Sequence, residues 1–322
     1  MYQITVFKMI RVMVNEYLAN GRWGTAHIYR SASNAFESYM GYCDLSFADL
    51  SAHVIKGFEI YLRRRENSWN TVATYMKVLK AAYNRAVECG ASAYTPRLFA
   101  HVRTAVDSSR KRSLEAGEIG ELILINKSPE TAMERVRLIF SLMFMLRGIP
   151  FVDLCYLRKT DVKDCYLTYR RRKTGRAITV KLTEEAQQII DFFAAETSLD
   201  SPYMFPFIVS PEGSREAYKE YQRALRHFNH QLQRLSDVMP IDVHLSTYTA
   251  RHTWATMAYY CEIHHGIISE AMGHSSIAVT ETYLKPFCDE RIDNANNAVI
   301  SYVKHRGRKM LKKRSKQRKW SK

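Results

Sequence analysis

The 322-residue sequence has little of what marks membrane, metal-binding or disulfide-stabilised proteins. No apolar run approaches the length of about 18 residues that a membrane-spanning helix needs, so no membrane partner is expected. There is no C-x2-C pair and no Cys/His cluster at zinc spacing, which predicts no metal site, free thiols and a reducing, cytoplasmic compartment. The six cysteines are scattered: Cys43, Cys89, Cys155, Cys165, Cys261 and Cys288.

Acidic residues are absent from the C-terminal end. Residues 301–322 contain 11 Lys and Arg and no Asp or Glu, and so carry most of the formal net charge of +16. Residues 1–107 have a surplus of five basic side chains, and residues 108–300 are neutral overall. The density of like charge predicts a basic, flexible tail over residues 301–322, ordered only on a polyanion. Positive charge without a membrane segment indicates nucleic acid as the partner.

Long Pro/Gly-rich linkers are also absent, and the sequence patterns are mostly those of helices. Apolar residues recur at three- and four-residue steps over residues 70–87, and residues 138–146 are apolar almost all round, which predicts a buried helix that Gly148 and Pro150 end. Helical patterns return over residues 183–195, 214–235 and 248–303, whereas alternation around a basic turn over residues 165–182 predicts a β-hairpin.

The predicted fold is therefore mainly α with a small antiparallel β-sheet. At roughly 150 residues per domain the length favours two domains. The small polar and basic residues 108–113 lie between two helical regions, which divides the chain into residues 1–107, 108–300 and the tail.

The residues that carry chemistry occur in order within one C-terminal segment. An A-R-H-T helix start contains Arg251 and His252, a G-H-S-S turn contains His274, and Tyr283 follows nine residues later. This set resembles the tyrosine recombinases, the phage-integrase family, whose C-terminal domains have an H-x-x-R-H-t box, a G-H-s-s turn and a nucleophilic tyrosine at this spacing.

The resemblance implies a two-domain architecture, with a helical core-binding domain and an α-rich catalytic domain that clamp duplex DNA between them. It implies a site-specific recombinase that cleaves and rejoins strands through a 3′-phosphotyrosyl intermediate and a Holliday junction, for integration, excision or inversion. It further implies a homotetramer on two sites, helix exchange between protomers after Tyr283, at residues 289–303, and room for accessory DNA-bending proteins. Because the phosphotyrosine conserves the bond energy, no cofactor is expected.

Roles for single residues follow from the same resemblance. A phosphodiester attacked without a metal accumulates negative charge that only fixed cations and donors stabilise. Arg251 is expected to clamp two phosphate oxygens, and His274 to donate an N–H to the same phosphate. Lys173, at the tip of the basic hairpin, corresponds to the general acid that protonates the leaving 5′ oxygen, and Tyr283 to the nucleophile.

Two positions depart from the family pattern. Tyr248 stands where the H-x-x-R box begins with histidine, which leaves its own phenol, His252 or His244 to act in its place. Pro150 stands where the first clamp arginine is usual, and Arg147, three residues earlier, is the candidate to replace it. The combination resembles a branch of mobile-element integrases and DNA invertases.

Further basic residues are candidates for sequence-independent contact with the DNA backbone. In the N-terminal domain they are Lys56, Arg63, Arg64, Arg65, Lys77 and Lys80. In the hairpin, Arg170, Arg171, Arg172 and Arg176 are interpreted as backbone contacts or as a solvated face.

Three other functions are open at this point. A DNA-binding regulator that has lost its chemistry would explain the two departures, although Arg251, Lys173, His274 and Tyr283 argue against it. A type IB topoisomerase shares the chemistry but needs no specific site. A plain helical transcription factor explains the charge and leaves the ordered set unexplained.

Overall fold

The structure is a computed structural model that describes residues 4–105, 113–124, 131–239, 241, 243–284 and 289–320. Most of the predicted domain boundary, residues 108–112, lies outside these ranges. No helix in the described ranges is long and apolar enough to cross a membrane.

The N-terminal part is a cluster of four helices around its own apolar core. Each of Thr5, Ser51 and Ser68 caps a helix by accepting a hydrogen bond from a backbone N–H three residues later. The helices are α1 (Val6–Ala19), α2 (Trp23–Tyr39), α3 (Ala52–Arg64) and α4 (Trp69–Glu88).

The C-terminal part combines nine α-helices and one short 3-10 helix, Lys159–Asp161, with one small sheet in the described ranges. Helix α6 is the centre of its core and packs against α5, α8, α9 and α10. The helices are α5 (Ala116–Leu124), α6 (Ala132–Met145), α7 (Phe151–Cys155), α8 (Glu184–Glu196), α9 (Arg215–Val238), α10 (Thr247–Tyr260), α11 (His265–Ala271), α12 (Ile277–Glu281) and α13 (Asp289–Trp320).

The sheet is antiparallel in the order β1–β2–β3, from Val162–Lys163, Tyr166–Arg170 and Ala177–Lys181. It confirms the predicted hairpin and adds β1, which is too short for its pattern to be recognised. Tyr169 pairs with Ile178, and both side chains point into the core.

The turn between α6 and α7 brings two distant parts of the chain into contact. The buried helix ends as predicted, with Arg147 and Gly148 in the left-handed region at φ of 59° and 68°. A Cβ at Gly148 would lie 2.7 Å from the Cα of Arg251, so only glycine allows this turn to rest on α10.

The C-terminal end, predicted as a flexible basic tail, is helical in the structure. Residues 301–320 continue the helix that begins at Asp289, across the boundary expected between residues 300 and 301. The reason is composition: the segment has no proline and is rich in Lys and Arg, which are good helix formers despite their charge.

Candidate active site

Arg251 on α10 is 2% exposed and is held by backbone carbonyls. Its Nη1 donates to the carbonyl of Gly148 at 2.8 Å, and its Nη2 donates to the carbonyl of Met272 at 2.7 Å. Burial lowers its pKa, and the charge of Arg171 acts in the same direction. The guanidinium of an arginine is not deprotonated in proteins, so Arg251 stays charged.

His274 lies directly against this guanidinium. Its Nε2 is 2.7 Å from Nη2 of Arg251, and its Nδ1 is 2.8 Å from Oγ1 of Thr280, which is fully buried on α12. Because a guanidinium only donates, Nε2 accepts, and Nδ1 carries the proton and donates to Thr280. Burial and the charges of Arg251 and Arg171 lower the pKa of His274 to about 3, so the imidazole is neutral.

Tyr283 packs between two imidazoles on one side of this cluster. Its ring centroid is 4.6 Å from that of His252 and 5.0 Å from that of His274, and the guanidinium carbon of Arg251 lies 5.6 Å away. Its hydroxyl is within hydrogen-bonding reach of Tyr248 and Arg251. The tyrosine predicted as nucleophile therefore lies against the arginine predicted as clamp.

Tyr248 occupies the position where the family pattern has histidine. It lies on the same face of α10 as Arg251, three residues away. Although 47% of its surface is exposed, desolvation of its hydroxyl and the neighbouring Tyr283 raise its pKa. Its phenol is a neutral group that both donates and accepts hydrogen bonds.

The basic hairpin is attached to the turn that contains His274. Three of its side chains donate to three successive carbonyls: Arg171 to Met272 at 2.5 Å, Thr174 to Gly273 at 3.3 Å and Arg176 to His274 at 2.5 Å. Lys173 is exposed between them, and its charge is among those that lower the pKa of His274. The hairpin thus holds Lys173 beside the Arg251–His274 pair.

Asp153 links the hairpin to α7. It is 3% exposed, its Oδ1 accepts from the Arg172 backbone N–H at 2.9 Å, and its Oδ2 lies 2.6 Å from Nε of Arg171. Burial raises the pKa of Asp153, whereas the Arg172 N–H and the Arg171 guanidinium oppose that shift.

Arg147 is half-buried at the edge of this site. It lines a cavity of about 250 Å³ with Ile178, Thr179 and Glu270 among its neighbours, and its charge acts on the Tyr169 hydroxyl. No hydrogen bond or ion pair of its guanidinium is formed with the described residues.

The candidate DNA contacts divide into two groups. Several have partners within the chain: Lys56 binds Glu59 and the His101 carbonyl, Arg63 lies over Trp69, Arg172 binds Glu212, and Arg176 binds the His274 carbonyl. Arg65 donates to the Tyr61 hydroxyl at 2.8 Å, and Arg64, Lys77 and Lys80 are exposed side chains of the N-terminal part.

The interpretation of Arg171 as part of a solvated face does not match its position, since its side chain is 6% exposed. The alternation of the strand predicts that Arg171 is buried. Every second residue of a strand lies on the same face, and Leu167 and Tyr169, four and two residues before Arg171, point inward. Thr280 and Asp153 were also missed as parts of the site, and no motif in the sequence marks Thr280.

The arrangement suits nucleophilic attack on an anionic ester. A tyrosine hydroxyl lies beside a buried guanidinium, a neutral imidazole is held between Arg251 and the Thr280 hydroxyl, and an exposed lysine projects from the attached hairpin. Preorganised cations of this kind stabilise the negative charge of a pentacovalent phosphorus transition state without reorganisation.

Comparisons with known proteins match both parts of the chain to domains of phage integrases. Residues 5–100 match the phage integrase SAM-like domain, and residues 112–289 match the phage integrase family. The tyrosine recombinase XerA of Pyrococcus furiosus is 24% identical over 190 residues, 58% of this chain and 62% of that protein. The chain therefore matches less than two thirds of that relative's length.

Solved structures share the fold. The Tn1549 transposon integrase in complex with a circular intermediate DNA has a TM-score of 0.66 at 13% identity, over 92% of this chain and 99% of that one. A lambda integrase tetramer bound to a Holliday junction has a TM-score of 0.64 at 19% identity, over 89% of this chain and 80% of that one. Because the second family model alone covers more than half of the sequence, the chain belongs to the phage integrase family of tyrosine recombinases.

Proposed function

We propose that this protein is a site-specific DNA recombinase that cleaves and rejoins strands through a 3′-phosphotyrosyl intermediate. The observation that carries the proposal is the position of the Tyr283 hydroxyl, within reach of the buried Arg251 guanidinium and beside neutral His274. Family membership and the shared fold support the same conclusion.

Each residue of the site has a separate role in the cleavage step. The Tyr283 oxygen bonds to the scissile phosphorus, the bond from phosphorus to the 5′ oxygen breaks, and Lys173 gives that oxygen a proton. Arg251 binds the non-bridging oxygens, and His274 joins it once its proton has moved from Nδ1 to Nε2, with the Thr280 hydroxyl then donating to Nδ1 and Nε2–H donating to a phosphate oxygen. Tyr248 accepts the Tyr283 proton and passes its own to water. Arg147 is a candidate second cation, supported by the lack of an ionic partner among the described residues.

Double-stranded DNA is the proposed substrate, bound between a core-binding domain, residues 1–107, and a catalytic domain, residues 108–300. The exposed cations of the N-terminal part and the basic residues 301–322 supply backbone contacts that weaken as salt rises. The free cysteines are compatible with action in the cytoplasm.

Assembly as a homotetramer on two sites completes the proposal. Helix α13 exposes the apolar side chains of Ile292, Val299, Ile300 and Val303, which would be covered by exchange of this helix between protomers. Integration, excision and inversion use the same chemistry, and accessory DNA-bending proteins would select among them.

A nicked suicide substrate tests the function. The recombination site is taken from DNA flanking the gene and is nicked so that the 5′-hydroxyl fragment diffuses away after cleavage, which traps the covalent complex. The wild type is expected to form a denaturation-resistant DNA adduct, and so is the control Tyr166→Phe, whereas Tyr283→Phe forms none. Absence of an adduct with the wild type would favour a regulator without catalytic activity, and relaxation of plasmids that lack the site would favour a type IB topoisomerase.

A further inference from the structure

The position of the first clamp arginine is occupied by a residue without a side-chain donor. Pro150 is the N-cap of α7, with φ of −63° and ψ of 143°, and Asp153 is the third residue of that helix. The side chain of an N-cap residue lies beside the third helical residue, so an arginine at position 150 would place its guanidinium near Asp153.

Another guanidinium fills that place. Arg171 reaches it from the hairpin, and its Nε lies 2.6 Å from the Asp153 carboxylate, with both side chains almost fully buried. A Cβ at Gly273 would be 3.1 Å from Cγ of Arg171, so the arginine stem passes closely beneath the turn that contains His274.

Arg171 and Arg251 converge on one acceptor. The Nη1 of Arg171 and the Nη2 of Arg251 both donate to the carbonyl of Met272, at 2.5 and 2.7 Å. The two guanidiniums therefore lie side by side, and Arg171 is among the charges that lower the pKa values of both Arg251 and His274.

The hydrogen-bonding capacity of Arg171 is only partly used. Nε is held in the ion pair with Asp153 and Nη1 donates to the Met272 carbonyl, whereas Nη2 has no acceptor among the described residues. One nitrogen of a largely buried guanidinium is thus left to bind an anion.

We propose that Arg171 is a catalytic residue that replaces the missing arginine and, with Arg251, binds the non-bridging oxygens of the scissile phosphate. This inference rests on the proposed recombinase function. Asp153 and the Met272 carbonyl fix the guanidinium in place, which leaves Nη2 to donate to phosphate as transition-state charge grows. Arg171 also joins the hairpin to the active site, so Arg171 and Lys173 are positioned together.

A pair of substrates separates this role from a structural one. The first is the nicked recombination site, and the second carries a methylphosphonate at the scissile position, which removes the negative charge that a clamp must balance. Arg171→Gln and Arg171→Lys are compared with Arg137→Gln, which removes an equally buried arginine that binds Glu134 and the Leu122 carbonyl. Melting temperatures of all variants are measured beside the cleavage rates.

The expected result is a difference that depends on the substrate. Arg171→Gln cleaves the phosphate about 100-fold more slowly than the wild type but cleaves the methylphosphonate within about threefold of it. Arg171→Lys is intermediate on phosphate because an ammonium lacks the fork. Arg137→Gln, whatever its stability, changes both rates by the same factor.

Each other outcome has a definite meaning. Equal impairment of Arg171→Gln on both substrates assigns the residue a structural role and overturns the inference, as does a normal rate on phosphate. If Arg147→Ala cleaves the methylphosphonate at nearly the wild-type rate and Arg171→Gln does not, Arg147 rather than Arg171 is the second arginine of the clamp. If the wild type forms no adduct with either substrate, the recombinase function itself fails, which is distinct from failure of Arg171 alone.

Discussion

The ring of Tyr283 stacks on the imidazole of His274, with centroids 5.0 Å apart and planes inclined by 21°. Both groups depend on α12, because the Tyr283 N–H binds the Thr280 carbonyl at 2.9 Å and Thr280 Oγ1 binds His274 Nδ1. The short helix therefore fixes the nucleophile and the neutral imidazole relative to one another.

Removal of the Thr280 hydroxyl should impair cleavage without affecting DNA binding. The Thr280 hydroxyl accepts from Nδ1 in the free protein and donates to it once Nε2 carries the proton toward phosphate, so Thr280→Val is expected to lower the cleavage rate about tenfold. Thr280→Ser, which keeps the hydroxyl, should restore most of the rate in single-turnover measurements. A rate for Thr280→Val equal to that of wild type would show that the Thr280 hydroxyl does not set the tautomer of His274 used in cleavage.

Lys173→Ala should be defective only when the leaving group needs a proton. On the natural 5′ oxygen we expect a loss of about 100-fold or more, whereas a 5′-sulfur bridging atom leaves as a stable thiolate without protonation. Single-turnover rates on the two substrates check this, with Lys181→Ala, at the end of β3, as the control. A similar loss on both substrates would exclude Lys173 as general acid.

His274 should make stability depend on pH. The folded protein keeps this imidazole neutral down to a pKa of about 3, whereas in the unfolded chain its pKa is near the ordinary 6.5. Between these values the unfolded state binds the additional proton, so the free energy of unfolding falls as pH falls, by up to about 1.4 kcal/mol per pH unit.

Urea unfolding between pH 4.5 and 7 measures this slope. We expect His274→Gln to have a shallower slope than wild type, and exposed His305→Gln to keep the wild-type slope. Equal slopes for wild type and His274→Gln would contradict burial of a neutral imidazole.

Gly148→Ala should be far more harmful than a comparable glycine substitution elsewhere. Gly148 and Gly90 both have positive φ, 68° and 73°, but only at Gly148 would a Cβ meet Arg251, whereas Gly90 faces open space. We expect Gly90→Ala to cost about 1 kcal/mol of unfolding free energy and Gly148→Ala several-fold more, with loss of cleavage. Equal costs, measured by urea denaturation, would show that the turn shifts easily.

The motifs in the sequence were sufficient to predict the family, the mainly helical fold, the hairpin and the α6–α7 turn. The structure also brings Arg251, His274 and Tyr283 together, because each lies in a motif with fixed local geometry. It could not be predicted that Arg171 fills the place opposite Pro150, since the two are joined only by the packing of the hairpin on α7 and the turn at Gly273.

The helical C-terminal end was missed for a different reason. High charge density favours a disordered segment, but Lys and Arg have good helix propensity, and α13 extends to Trp320. Thr280 was overlooked because one buried hydroxyl, bonded to one imidazole, leaves no pattern in the sequence.

The position of the covalent bond is the most direct test of the account. The adduct trapped on the nicked substrate is digested with protease and nuclease, and the nucleotide-bearing peptide is identified by mass spectrometry. The account predicts one modified peptide, with the 3′ phosphate of the cleaved strand bonded to the oxygen of Tyr283. Attachment to Tyr248 or another residue, or linkage through a 5′ phosphate, would contradict it.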